Sequence, residues 1–429
     1  MKNFVAYLHW RGMIHDMVPG VEEHLNSGMV TGYIGFDPSA PSLHLGNLVT
    51  LMLLKHFQEA GHKPVVVVGG ATAMIGDPSW RAQERMLLSE EEIRYNEACI
   101  GQQLKQFLDF SNGNNKAVLL NNLDWLKDFS FLPFLRDVGK HIPVGYMLSK
   151  DSVKKRLEKG ISYTEFAYQL LQGFDFYYLY TNQGVTLQMG GADQWGNLTT
   201  GIELIRKKAQ GQAFAITSPL LTRADGSKFG KTATGTNIWL DPLKTSPYAL
   251  YQFLLNCTDG EAEKLIKIFS FCSKEELETL IVAHCAKPET RLLQQTVAKI
   301  VTTMVHSEEA CRKAMACSAI LFGNASSVEA LYALDEADLL TVCAAIAKIT
   351  IARTVWDTVD SVMSLLSMAT EGMITASKSD AKRMINARGI MVNKTLVTDP
   401  YQKPTIPLLH GRYLLVQKGK KNYYLIIVE

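Results

Sequence analysis

No run of about 18 uncharged apolar residues occurs in the chain, which argues against an ordinary membrane-spanning helix. The opening MKNFVAYLHWRG sets His9 and Arg11 among its apolar residues and lacks the uninterrupted core of a secretory leader. Neither CxxC nor a cysteine–histidine cluster at ligand spacing is present, because the seven cysteines are scattered at 99, 257, 272, 285, 311, 317 and 343. Reduced, mostly buried thiols in a cytoplasmic protein are therefore expected, with no dedicated metal site. Also missing are the six-position glycine fingerprint of a dinucleotide fold and the GK[ST] of a P-loop. Internal repeats are lacking, and so is an excess of one charge, since 44 basic residues face 42 acidic ones. A composition of 47% hydrophobic and 20% charged residues excludes the disordered and collagen-like classes.

What the first half does contain is an alternation of strand-like and helix-like stretches, the pattern of a parallel sheet wrapped by helices. Strands are expected at 30–37, 64–73, 116–122, 185–191 and 214–221. Helical periodicity fills LGNLVTLMLLKHFQEAGH, SEEEIRYNEACIGQQLKQFLDF and TEFAYQLLQGFDFYYLY between them. The reading is an α/β domain over 1–225, a lysine-bearing mobile loop and connector at 226–246, and an α-helical domain over 247–322. A linker with weak helices at 323–361 then leads to a small α+β domain at 362–429.

Residues 376–429 hold ten Lys or Arg against Asp380, Asp399 and Glu429, a net +7 that leaves −5 for the rest of the chain. A basic end on a near-neutral chain suits a polyanion held by one module, and equally a solvated basic surface. Here Ser377 or Ser379 can cap a short helix whose Ala381, Met384 and Ile385 face a core. Lys378, Lys382 and Arg383 then project from the other side, and Gly389 closes the helix.

Two motifs carry candidate chemistry. PSAPSLHLGN (38–47) lies where the first strand hands over to a helix, so the unpaired first-turn N–H groups make an anion site by default. Gly46 would let a ligand approach the backbone, while His44 and Asn47, three apart, share the helix end and can both donate. A helix cap is the plainer reading of these residues. Downstream, ADGSKFGKTATG (224–235) sets Lys228, Lys231 and Thr232 in a glycine-rich loop, which alone could serve only solubility.

HLGN and KFGKT resemble the two signatures of class I aminoacyl-tRNA synthetases. Together with GYIGFDPSAPSLHLGN, GGATAMIGDPS, FLRDVGKH, GISYTEFAYQLLQGFDFYYLY and LQMGGADQWGN, they are similar to the bacterial tyrosyl-tRNA synthetase family. The resemblance runs the whole chain and implies a Rossmann-like catalytic domain, an α-helical anticodon-side domain and an S4-like RNA-binding tail. It implies L-tyrosine, ATP carrying Mg2+, and tRNA(Tyr) as partners of a homodimer joined near FLPFLRDVGKH (131–141), with no membrane. Tryptophanyl-tRNA synthetase is the nearest alternative, and a non-catalytic RNA-binding scaffold of the same ancestry is a further one.

The resemblance also implies roles. Tyr33 and Asp175 bind the tyrosine hydroxyl; Asp77, Tyr168 and Gln172 bind its ammonium; Gln188 and Gln194 line the tyrosine and carboxylate region. Gly35, Asp37, Ser39, Gly46, Thr50, Gly191 and Asp193 belong to the ATP side, Asp193 at the ribose. His44 and Asn47 face phosphate, and Lys228, Lys231 and Thr232 close over pyrophosphate opposite Arg81 and Arg85. Lys378, Lys382, Arg383 and Arg388 would contact RNA. Independently of the resemblance, Tyr168, Gln172 and Asp175 are spaced i, i+4, i+7 amid apolar neighbours, and a buried polar stripe needs partners. Position 47 is Asn where a second His is common, and Gly230 stands where many members carry Ser.

Overall fold

The structure, a computed structural model, describes residues 3–79, 87–157, 160–223, 226–232, 235–322, 328–343, 346–419 and 422–429. It divides into two compact units, Met1–Thr245 with Asn256–Ile300 and Ser246–Leu255 with Val301–Glu429.

The first unit is built on a six-stranded sheet: β1 (Asp16–Met17), β2 (Thr31–Phe36), β3 (Lys63–Val68), β4 (Val118–Asn121), β5 (Leu187–Gly191) and β6 (Phe214–Ser218), in the order β1-β6-β5-β2-β3-β4. All neighbours are parallel except β1, an antiparallel edge strand that the sequence pattern did not announce. In β3 the run from Pro64 to Val68 is buried throughout, as covering both faces of a parallel sheet requires. The chain moves outward from β2 through β3 to β4, then returns to β5 on the other side of β2. That reversal, where Tyr33 of β2 pairs with Gln188 of β5, is the topological switch point of the sheet.

Two boundaries differ from expectation. The strand expected over 64–73 ends at Val68, and Gly70–Ala73 is helical. The turn between them depends on glycine, because a Cβ on Gly69 would run into the Asp37 and Thr72 side chains. The helical block expected at 247–322 is split between the units: Asp259–Phe269 and Lys274–Ala286 lie in the first, Pro247–Leu255 and Glu308–Phe322 in the second. A clamp accounts for the first placement. Buried Arg11 donates to the carbonyls of Lys267, Ser270 and Cys272 at 2.5, 2.7 and 2.8 Å, and His56 Nε2 meets that of Ile268 at 2.9 Å. These carbonyls lie at and just beyond the C-terminal end of helix Asp259–Phe269, where backbone acceptors lack partners.

The second unit carries a five-stranded sheet: β7 (Ala347–Ile351), β8 (Ile390–Val392), β9 (Thr395–Leu396), β10 (Tyr413–Lys418) and β11 (Asn422–Val428), ordered β7-β11-β10-β8-β9. The segment read as linker and weak helices contains helices Val328–Tyr332 and Glu336–Val342, and β7, which pairs in parallel with β11. Ile349 and Ile351 of β7 join Leu365, Ala381, Ile385, Leu414 and Ile426 in one core.

Helix Lys378–Asn386 is capped by Ser377, with Ala381 and Ile385 buried and Lys382 and Arg383 exposed. Its end departs from expectation. The left-handed residue is Arg388, at φ 55°, and not the glycine read as closing the helix, while Gly389 N donates to Met384 O at 2.9 Å. Glycine is needed one position later because a Cβ there would lie 3.2 Å from the Met384 carbonyl oxygen.

Candidate functional site

At the carboxyl edge of β2 the chain passes through Asp37 and Ser42 into helix Leu45–Glu59, whose N-cap is His44. His44 Nδ1 accepts from Asn47 N at 3.2 Å, and Asn47 Oδ1 accepts from His44 N at 3.1 Å. This reciprocal capping box sharpens the expected pair of donors. With Nδ1 accepting, the neutral imidazole carries its proton on Nε2; with Oδ1 engaged, Asn47 offers its amide NH2. Gly46 has a packing role as well as the expected one, since a Cβ there would come within 3.0 Å of the His44 ring. Thr50 returns its hydroxyl to Asn47 O at 2.9 Å, Ser39 is exposed, and Gly35 is an exposed strand position.

The second motif folds back onto this turn. Trp239 bridges His44 in antiparallel fashion, Leu45 N donates to Ile238 O at 2.9 Å, and Ile238 N donates to Gly230 O at 2.8 Å. Gly230, at φ 92°, packs so near Leu45 that a Cβ would approach the Leu45 Cβ at 3.3 Å. Glycine rather than serine at 230 follows from both constraints. Further bridges join Thr222 to Lys228 and Lys231 to Asn237, and Arg223 donates to Lys231 O at 3.1 Å. Lys228 and Lys231 are exposed and Thr232 is half-buried. Arg81 and Arg85 lie outside the described residues.

A polar pocket lies at the switch point. Tyr168 donates to Asp37 Oδ2 at 2.8 Å and Thr72 to Asp37 Oδ1 at 2.7 Å, so Asp37 faces this pocket and not only the expected nucleotide wall. Asn122 links Thr72 to Asp175 Oδ2 at 3.0 and 2.9 Å, while Trp125 Nε1 donates to Asp175 Oδ1 at 2.8 Å. Burial pushes the Asp175 carboxyl up to about 7 against these two hydrogen bonds. Tyr33 is also raised, by burial and then by Asp175. Three buried atoms here, Tyr33 Oη, Gln172 Oε1 and Gln188 Oε1, have no hydrogen-bond partner among the described residues. Buried polar atoms usually find partners, and these three are able to pair with a ligand that brings its own donors and acceptors.

Just after β5, Gln194 donates to Asp77 Oδ2 at 2.7 Å, and Asp77 Oδ1 accepts from Ser79 N at 2.9 Å. Burial and then Asp77 raise the Asp193 carboxyl, which Lys228 pulls down. Gly191 leaves room for Asp193, whose Oδ1 would otherwise lie 2.6 Å from a Cβ. Thr72, Asn122 and Trp125 were missed from sequence; the Asn doublet closing β4 was the one available signal, and a faint one. The four basic residues of the tail lie in the second unit, Lys382 donating to Tyr401 Oη at 2.8 Å and Arg383 to Asp380 at 2.6 Å. Among the described residues no group of three His, Cys, Asp or Glu could hold a metal ion, and no helix is long and apolar enough to cross a membrane.

Residues 26–323 match the family of class I tRNA synthetases for W and Y, and residues 353–426 match the SYY-like C-terminal domain of tyrosine–tRNA ligase. A tyrosine–tRNA ligase of Amoebophilus asiaticus is 57% identical over the full length of both chains. The chain belongs to the tyrosine–tRNA ligase family. A second member, from Porphyromonas gingivalis, is 55% identical over all of both chains. The crystal structure of a C-terminally truncated mitochondrial tyrosyl-tRNA synthetase from Aspergillus nidulans superposes with a TM-score of 0.67 at 29% identity, covering 73% of this chain and 92% of that one. Both of these full-length relatives belong to the tyrosine branch, not the tryptophan one.

Proposed function

We propose that the chain activates L-tyrosine with ATP to tyrosyl-adenylate and pyrophosphate, then transfers the tyrosyl group to the 3′ end of tRNA(Tyr). The observation that carries this reading is the set of unsatisfied buried atoms on Tyr33, Gln172 and Gln188, in a cluster that reaches through Tyr168 to Asp37 at the strand end leading into HLGN. A phenolic amino acid supplies what they lack. Its hydroxyl would lie between Tyr33 and Asp175, and its ammonium among Tyr168, Gln172 and Asp77. Gln188 and Gln194 would line its carboxylate side.

The tyrosine carboxylate is already ionised, so its attack on the α-phosphate needs no general base. Catalysis then rests on positioning and on donors aimed at charge developing around phosphorus. His44 Nε2–H and the Asn47 amide supply such donors from a pre-formed cap. Lys228, Lys231 and Thr232, with Arg81 and Arg85, would hold the departing pyrophosphate, in contacts strengthened as the reaction proceeds. ATP brings Mg2+ with it. Gly35, Asp37, Ser39, Gly46, Thr50, Gly191 and Asp193 would wall the nucleotide, Asp193 accepting from the ribose.

For tRNA, Lys378, Lys382, Arg383 and Arg388 supply phosphate contacts whose affinity falls with salt. Exposed Phe131, Leu132 and Val144 favour a homodimer contact in the expected stretch and just beyond it. The protein would work in the cytoplasm.

ATP–pyrophosphate exchange with each amino acid in turn tests the reading: tyrosine should support exchange, and exchange with tryptophan alone, or with none, would overturn it. His44→Ala should lose exchange while binding tyrosine as before.

A further inference from the structure

Ser42 stands two residues before His44, in neither the cap nor the pocket, yet it is only 4% exposed and its hydroxyl is fully used. A hydroxyl has one proton to give and two lone pairs to fill. Ser42 Oγ donates to Leu43 O at 2.8 Å and accepts from Gln103 Nε2 at 3.1 Å and Asp241 N at 3.2 Å. Gln103 closes the circuit with its other end, accepting from Leu43 N at 2.8 Å. Leu43 O also accepts from Leu240 N at 2.9 Å. The residues just before the cap are thus tied to two other parts of the unit: helix Glu90–Phe107, through Gln103, and the strand-like segment 238–241. That segment is the same one that bridges His44 through Trp239 and holds Gly230 through Ile238.

We infer that Ser42 and Gln103 are positioning residues that fix the HLGN turn and the KFGKT loop in a common register. The inference rests on the reading that His44 donates to phosphate in adenylate formation. Neither residue is placed on substrate; both act through His44 and the loop stem. Their side chains do not take part in the hydrogen bonds of the tyrosine pocket, so their loss weakens the phosphate step and leaves amino-acid recognition intact. Small displacements of positioned groups are enough to lower a rate substantially.

The test uses the full-length protein with Gln103→Ala, which removes a half-buried side chain, and Ser42→Ala as the second variant. Tyrosine-dependent ATP–pyrophosphate exchange gives kcat, and equilibrium dialysis gives the tyrosine Kd. The expected result is a fall in kcat of roughly ten- to a hundred-fold with an unchanged Kd. Each substitution is repeated in a His44→Ala background, where it should lower the residual exchange less than it lowers the parental rate, because one of the two groups it positions is gone. A parental kcat for Gln103→Ala alongside an impaired His44→Ala overturns the tie and leaves the phosphate role of His44 standing. So does an equal loss in both backgrounds, or a tyrosine Kd that weakens in step with kcat. A parental rate for His44→Ala instead overturns the underlying reading, and the tie with it.

Discussion

Replacing Tyr33 by phenylalanine should move stability and affinity in opposite directions. The Tyr33 hydroxyl is buried, the residue is 2% exposed, and Tyr33 Oη has no partner among the described residues. An unsatisfied buried hydroxyl costs about 1–3 kcal/mol, so its removal should stabilise the ligand-free protein by an amount of that order. Each kcal/mol shifts the midpoint of a 150–250-residue domain by roughly 2–4 °C, a change that thermal unfolding resolves. With tyrosine bound, the same hydroxyl should make a net hydrogen bond of about 0.5–1.5 kcal/mol; added to the penalty of about 1–3 kcal/mol relieved in the free variant, this weakens binding by about 1.5–4.5 kcal/mol, or roughly 13- to 2,000-fold. At 100 times the parental Kd, tyrosine would stabilise the parent by about 2.7 kcal/mol and a variant bound a hundredfold more weakly by about 0.4. Rejection of phenylalanine in exchange assays should fall with it. Sites that hydrogen-bond a substrate hydroxyl reject the analogue lacking it by about 10⁴–10⁵-fold, tyrosine against phenylalanine in this enzyme class being the standard case. A lower midpoint for the ligand-free variant would refute the reasoning, because it would mean the hydroxyl is satisfied in the empty pocket.

Asp175 predicts a pH dependence. Its carboxyl is raised from 3.8 to about 7, so the folded protein holds the proton more tightly than the unfolded chain between those values. Its contribution is fully present below the unfolded value and is lost as pH rises through about 7, up to about 4 kcal/mol in all. Asp175→Asn should therefore be the less stable protein near pH 4, where its NH2 faces the Asn122 or Trp125 donor, and should close the gap by pH 8; parallel unfolding profiles would contradict this. Arg388→Gly should stabilise the second unit by about 1 kcal/mol and so raise its unfolding midpoint, since φ 55° disfavours a side chain. The same change should weaken tRNA binding and flatten its log–log salt dependence by about one unit, read from titrations at several salt concentrations. A fragment spanning 328–429 should unfold cooperatively by circular dichroism, whereas one spanning 353–429 should not. The shorter piece lacks β7 and leaves the edge of β11 without its partner.

What could be read in advance was what is local in sequence. Five of the six strands of the first sheet and the long helices between them follow from period-2 and period-3.6 patterning, and Ser377 marks its helix by type alone. The i, i+4, i+7 spacing put Tyr168, Gln172 and Asp175 on one helix before any contact was visible. The network that holds Asp175 was not legible, because Asn122 and Trp125 lie 53 and 50 residues away and look like ordinary loop residues. The same holds for β7: AKITI has weak patterning, and its strand identity comes from parallel pairing with β11 near the end of the chain. HLGN shows the limit most sharply. Cap and anion site looked like competing readings of His44 and Asn47, but they are one arrangement. The bonds that satisfy the helix start also fix which nitrogen of His44 carries a proton and which end of Asn47 can still donate. Structural and functional roles of a motif exclude each other only when they need the same atoms, and here the cap engages the acceptors and leaves the donors.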